Sequence, residues 1–269
     1  MRKVVIHTQP GFDEWREHAR GFLKSRIAPD QIIWTIPEQT QTNLFTDDIV
    51  ETSPLPDEHG LVEIRVSKAF MEMAETVLCH NDPERFGLMY KILWRLNFEN
   101  RSLMSLKTDD DILRAHKMEK AVRRDAYKIK AYVRFRKLTY QDQDIYVAWH
   151  EPEHFTLERV TDFFKTRFKN MKWSILTPYR GAHWNGRALM MEDNPNPDLF
   201  PKDDQVEKYW LTYYQNIFNP ARLKTSAMLN QMPKKYWKTM PETVLIKEMI
   251  ETADKKTREM IEKSKDTLG

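Results

Sequence analysis

Cysteine is nearly absent from this sequence: Cys79 stands alone among 269 residues. A single thiol excludes an internal disulfide, a cysteine-rich zinc module and an iron–sulfur cluster ligated by this chain alone. Glycine is scarce too, seven in all and with no G-x-G pair, so the dinucleotide fingerprint is missing. No apolar run approaches the roughly 20 residues of a membrane helix. The Met1–Val5 start meets His7, Gln9 and Asp13 before a signal h-region can build. These absences lead us to expect a cytoplasmic protein with no membrane segment.

What is present suffices for folding. Hydrophobic residues make up 41% of the chain and aromatics 12%, with eight Trp, which supports a sizeable core and excludes wholesale disorder. The length fits one large domain or two modest ones. We read 1–269 as one domain, with an N-terminal subdomain at 1–66, a core at 67–193 and a helical part at 194–269.

The periodicity predicts strands at 3–7 and 32–36 around a helix at 12–27, then a loop at 37–60 and a strand at 61–66. Helices follow at 68–79 and after the cap-and-proline sequence Asp82-Pro83-Glu84. Another begins near Thr108 or Asp109, with Met118, Val122, Ala126, Ile129 and Val133 as its apolar stripe. A hairpin over 133–149 turns at 141–143. A helix at 157–168, a strand at 173–177, a turn at 178–186 and a strand at 187–191 complete a ββαββ centre. The expected class is α+β, helix-rich with a small antiparallel sheet. Helices are predicted again at 203–218, 220–230 and 241–263.

The formal net charge of +3 hides an uneven distribution. Residues 114–137 carry +8 and residues 219–238 carry +5, leaving −10 for the rest. On a helical projection Arg123, Tyr127, Lys130 and Arg134 flank the apolar stripe, while Lys117, Lys120, Arg124 and Lys128 spread over the solvent side. Arg134 and Arg136 share one face of the predicted hairpin. Clustered cations with aromatics nearby are what a phosphate backbone and its bases require, and Trp184, Tyr236 and Trp237 are candidate stacking platforms. The bland alternative is a solvated helix face paired with acids. Asp125 projects into the middle of the apolar stripe, where a carboxylate needs Arg or backbone N–H partners. The alternative there is a site acid with a shifted pKa.

Two motifs mislead. His150-Glu-Pro-Glu-His154 matches H-E-x-x-H, but zinc chemistry needs both imidazoles on one helix face, and Pro152 breaks that helix. Gly181 to Ala188 has P-loop glycine spacing, yet Arg-Ala replaces the Lys-Ser/Thr that holds phosphate and magnesium. No metal site is expected. Glu153 and His154 leave one strand, and Thr177, Arg180, His183 and Trp184 leave another. The set Glu153, His154, His183 and Asp125 is the acid/base candidate, and a polar cluster holding two loops is the alternative.

Eight ordered motifs carry a resemblance over nearly the whole chain. They are His80-Asn-Asp-Pro-Glu-Arg-Phe86, Lys120-Ala-Val-Arg-Arg-Asp125, Tyr132-Val-Arg-Phe-Arg136, Trp149-His-Glu-Pro-Glu-His154, Trp173-Ser-Ile-Leu-Thr-Pro178, Ala182-His-Trp-Asn-Gly186, Ile217-Phe-Asn-Pro-Ala-Arg-Leu-Lys224 and Met232-Pro-Lys-Lys-Tyr-Trp237. Together they resemble an uncharacterised family assigned to DNA repair or DNA metabolism and encoded beside a radical-SAM protein. The same domain occurs fused ahead of uracil-DNA-glycosylase-like, uracil-DNA-binding proteins. Asn185 departs from the family, which commonly has Asp there. The resemblance implies DNA, a radical-SAM protein and a uracil-DNA-glycosylase-like protein as partners. Any iron–sulfur cluster or SAM would reside in the partner, because Cys79 alone cannot hold a cluster.

Three functions follow from these readings. In the first, a DNA-binding repair factor contacts phosphates through Arg123, Arg124, Lys128, Lys130, Arg134 and Arg136. Arg180, Trp184, Arg222, Lys224, Lys234, Lys235 and Trp237 complete its interface. In the second, an enzyme acts on a damaged or modified nucleotide, stacking an extruded base on Trp184 or Trp149. In the third, the basic helices dock a partner protein without touching DNA.

Overall fold

Two short parallel strands, β1 (Arg2–Val5) and β2 (Ile32–Thr35), open the chain in the computed structural model, with α1 (Phe12–Lys24) between them. The structure describes residues 1–37, 64–140, 143–197, 232–240 and 243. By its contacts the chain divides into two compact units. The first comprises Met1–Tyr127 with Pro152–Glu158, and the second Lys128–Glu151 with Arg159 onward.

In the first unit α1 buries Trp15, Ala19, Phe22 and Leu23, the stripe its spacing predicts. The turn before it requires glycine. Gly11 has φ +81°, and a Cβ there would lie 2.5 Å from Ile6 Cγ2 and 2.8 Å from the Thr8 carbonyl oxygen. Helix α2 (Lys68–Val77) starts on Ser67, whose hydroxyl accepts the Phe70 N–H. Residues 64–66, predicted as the end of a strand, have no regular structure, and 61–63 lie outside the described residues.

Helix α3 (Arg85–Phe98) begins after the proline instead of at it. Asp82 takes the Glu84 N–H on its side chain and the Arg85 N–H on its carbonyl, so Asp82-Pro83-Glu84 forms a turn leading into the helix. Asp109 caps α4 (Asp110–Tyr132) by accepting the Asp111 and Ile112 N–H groups. The core of this unit runs from Val4 through the aromatic cluster of Trp15, Phe22, Phe86 and Tyr90 to Met118.

The second unit is built on a five-stranded sheet in the order β3-β4-β5-β6-β7. Its strands are β3 (Arg136–Tyr140), β4 (Gln143–Trp149), β5 (Trp173–Leu176), β6 (Arg180–Trp184) and β7 (Leu189–Asp193), with α5 (Thr161–Arg167) between β4 and β5. The α+β class stands. The expected all-antiparallel sheet does not: β4 and β5 run parallel, because a crossover containing α5 replaces a hairpin between them.

A strand also occupies 180–184, where a turn was expected. The chain reverses tightly on both sides of it. Thr177 exchanges backbone and hydroxyl bonds with Arg180, and the Asn185 side chain takes the Arg187 and Ala188 N–H groups. The Phe164 and Phe168 rings pack near Phe135, and Phe164 also meets Trp173, filling the core on one face of the sheet. The helices predicted at 203–218, 220–230 and 241–263 lie outside the described residues, apart from the isolated position Thr243.

Candidate functional site

Along α4 the apolar stripe faces inward as predicted, with Ala115, Met118, Val122 and Ala126 buried in the first unit. The opposite face divides its cations into two groups. Arg114 binds Asp82 and Glu84, and Arg123 binds Glu119 at 2.6 Å. Lys117, Lys120 and Arg124 are exposed and have no carboxylate partner among the described residues. Spacings of three and four put these three in one stripe along about 10 Å of helix axis at ~1.5 Å per residue. Tyr127 continues the stripe and is 70% exposed, unusual for an aromatic side chain.

Asp125 is 1% exposed, and its hydrogen-bond donors include no arginine. Its carboxylate accepts the Glu153 and His154 N–H groups, each at 3.1 Å, and the Thr156 hydroxyl at 2.9 Å. Backbone donors therefore hold it, the second of the two partner types foreseen for it. This carboxylate pins the segment 153–156 to α4. His154 in turn accepts the Asn81 N–H on Nδ1 at 3.3 Å, and its ring lies 4.1 Å from that of His80. The Nδ1 atom of His80 accepts the Asp82 N–H at 3.0 Å.

With both Nδ1 atoms accepting, each neutral ring carries its proton on Nε2. Burial, then the neighbouring His154, pushes the His80 pKa down to about 4. Arg85 is fully buried beside them, donates to Gln9 and the Asp82 carbonyl, and lies over the Phe86 ring. Burial pushes its pKa down to about 10. Glu153 itself is exposed. Cys79 is buried, and its thiol donates to the Glu75 carbonyl. No cluster of three or more metal-ligating side chains occurs among the described residues.

In the second unit Arg134 is buried and donates to the carbonyls of Ala131 and Val133, closing the end of α4. It was expected on a strand face towards phosphate; β3 starts only at Arg136, and helix closure claims the guanidinium instead. Arg136 is half-buried, while Lys130, Lys234 and Lys235 are exposed. The Lys234–Thr239 turn docks through Tyr236, which stacks between Tyr132 (5.5 Å) and His150 (4.9 Å). Tyr236 is only 2% exposed, so it serves packing and is closed to a base. His150 is buried with neither ring nitrogen hydrogen-bonded among the described residues. Burial, then Lys235 and Lys128, pushes its pKa down to about 3.

Trp237 donates its indole N–H to the Met232 carbonyl and Trp184 to the Lys169 carbonyl; both are half-buried. Arg180 pairs with Asp193 at 3.0 Å. Arg222 and Lys224 lie outside the described residues. His183 belongs to the second unit and His154 to the first.

Around His183 the structure adds two residues that the sequence reading did not select. Ser174 on β5 lies 2.8 Å from Nδ1, and Glu192 on β7 lies 3.0 Å from Nε2. An ionised Glu192 accepts a hydrogen bond from Nε2–H, which leaves Nδ1 as acceptor for the Ser174 hydroxyl. That is the polarity of a general base beside a hydroxyl. Gly181 makes room for the ring, since a Cβ there would lie 2.9 Å from His183 Nε2. Strand register alone could have pointed to the set, but residues 180–184 were read as a turn.

Fold and clusters together define an α+β protein with a cation-rich helix, a paired His80–His154 cluster and a Ser174–His183–Glu192 array. The model of Domain of unknown function DUF4130 matches residues 83–242, more than half of the chain, and the chain belongs to that family. Searches of curated proteins and of solved structures gave no match. No helix among the described residues is long and apolar enough to cross a membrane.

Proposed function

We propose that this protein binds DNA through the exposed face of α4, as a repair or DNA-metabolism factor acting with a radical-SAM partner. The observation that carries the reading is the stripe of Lys117, Lys120 and Arg124 beside exposed Tyr127. On the same helix Arg114 and Arg123 are engaged by acids. These three cations have no such partner among the described residues, although the chain carries 40 acids. Their span of about 10 Å matches roughly three phosphates of one duplex strand at ~3.4 Å per charge. Arg123 joins readily, because an exposed pair such as its bond to Glu119 contributes only about 0–1 kcal/mol. A radical-SAM cluster would sit in the partner, since the one thiol of this chain is buried.

Substituting the three cations with glutamine tests the reading. Duplex affinity should fall at least tenfold while folding is kept, and unchanged affinity would sink it.

A second reading, an enzyme acting on a modified nucleotide, draws on the Ser174–His183–Glu192 array, whose polarity makes His183 a base for the Ser174 hydroxyl. It predicts that Ser174→Ala and His183→Gln each abolish turnover while DNA binding persists. Turnover that survives both substitutions would refute this assignment.

A further inference from the structure

One further short stretch is wholly basic. Residues 163–172 contain Lys165, Arg167, Lys169 and Lys172 and no acid. The end of a two-turn helix such as α5 favours a cation or so near its carbonyls, but four exceed that need. Lys165 is accounted for by Asp162 at 2.6 Å. Arg167 and Lys169 are exposed and have no carboxylate partner among the described residues. Both line an open groove of about 840 Å³, wholly within the second unit, together with Tyr146, Phe168, Asn170 and Lys172. Asp144, which also lines the groove, pairs with Lys137 at 2.8 Å and accepts from the Thr139 hydroxyl. The loop is anchored by the Trp184 indole on the Lys169 carbonyl and by the Tyr146 N–H on the Lys172 carbonyl.

We infer that this groove binds a phosphorylated nucleoside unit. Its phosphate would meet Arg167 and Lys169, and its base would lie against the half-buried rings of Tyr146 and Phe168. The volume falls within the ~300–1,000 Å³ of small-ligand sites, and aromatic faces beside cations are how proteins hold an unpaired nucleotide. The site is distinct from the α4 stripe and rests on the nucleic-acid reading only for the kind of ligand. The unit has two sources, a free nucleotide or a nucleotide of a DNA strand.

Amide chemical shifts of the full chain, followed by NMR, separate these cases. The probes are thymidine 5′-monophosphate, thymidine and a 5′-phosphorylated oligothymidylate. The monophosphate should shift amides across 166–172, with thymidine at least tenfold weaker. Arg167→Glu/Lys169→Glu should weaken the monophosphate at least tenfold, and Tyr146→Leu should weaken it while leaving the cations in place. The α4 triple-glutamine variant should bind it like the wild type. An oligothymidylate at least tenfold tighter than the monophosphate identifies a strand as the source, and equal affinity identifies a free nucleotide.

The inference is overturned if no probe shifts 166–172, or if neither groove variant changes affinity. Duplex binding that depends on α4 without shifts at 166–172 removes the groove alone. Monophosphate binding without duplex binding removes the α4 reading alone.

Discussion

Replacing Asp125 removes an acceptor that three donors share inside the first unit, and the outcome separates two views of a buried carboxylate. In Asp125→Ala the His154 N–H loses its partner in a buried position. The Glu153 N–H belongs to an exposed residue and can turn to water. The Thr156 hydroxyl retains a long contact to the His154 carbonyl at 3.4 Å. One stranded buried donor plus two weakened bonds amounts to a loss of about 3 kcal/mol, taking ~1–3 kcal/mol for the first and under ~1 kcal/mol for each of the others.

Asp125→Asn, with its carbonyl oxygen in the place of the better-used oxygen, keeps the His154 and Thr156 bonds. It opposes only the Glu153 N–H, at about 1–2 kcal/mol. Urea unfolding should therefore rank wild type above Asn and Asn above Ala. The His154 amide should lose about 100-fold in hydrogen-exchange protection in the Ala variant, as ~2.7 kcal/mol implies. If desolvation of the charge dominates instead, Asn will equal or exceed the wild type. That result would refute the account of Asp125 as the clamp on 153–156.

Acid should destabilise both units through their histidines. A folded-state pKa of about 4 for His80, below the usual 6.5, means that the unfolded chain binds the extra proton between those values. The stabilising preference for neutral His80 is thus complete above pH ~6.5 and is lost as pH falls towards 4, at less than about 1.4 kcal/mol per pH unit because solvent screens the part-exposed ring. His150, at about 3, extends the same trend lower. Stability independent of pH from 7 to 5 in urea melts would contradict it, and His80→Gln should flatten the upper part of the curve. Gly181→Ala should push the free end of the part-exposed His183 ring aside at little cost in stability. Its signature is a changed His183 ring environment by NMR, and an unaltered ring signal would argue against the cradle. Arg114→Ala, removing a cation already paired with Asp82 and Glu84, should leave the salt dependence of DNA binding unchanged.

The long apolar stripe of α4 was legible because five residues at spacings of three to four leave only one helix face to bury. Asp125 was legible for the same reason: a carboxylate in that stripe demands donors, and the chain supplies them from a segment 28 to 31 residues away. The β6 strand was not legible. Its five residues include Gly181 and lie between two side-chain-capped turns, so the local pattern reads as turn throughout, and only pairing with both neighbours makes it a strand. Parallel pairing of β4 and β5 likewise depends on the crossover, which local alternation does not encode. The charge pattern marked α4 as cation-rich but could not divide its cations. Which cations are paired depends on Asp82, Glu84 and Glu119, and Arg134 turned inward because α4 ends just before it.

The central claim is that the α4 stripe meets a polyanion. Fluorescence anisotropy of labelled duplex, single-stranded and uracil-containing DNA, titrated with the full chain from ~50 to ~200 mM salt, tests it most directly. Three phosphate contacts joined by Arg123 predict a log–log slope of roughly −3.6 on duplex, reduced to roughly −0.9 in the Lys117→Gln/Lys120→Gln/Arg124→Gln variant. Binding to none of the three DNAs at low salt, or a slope that the variant leaves unchanged, would contradict the account.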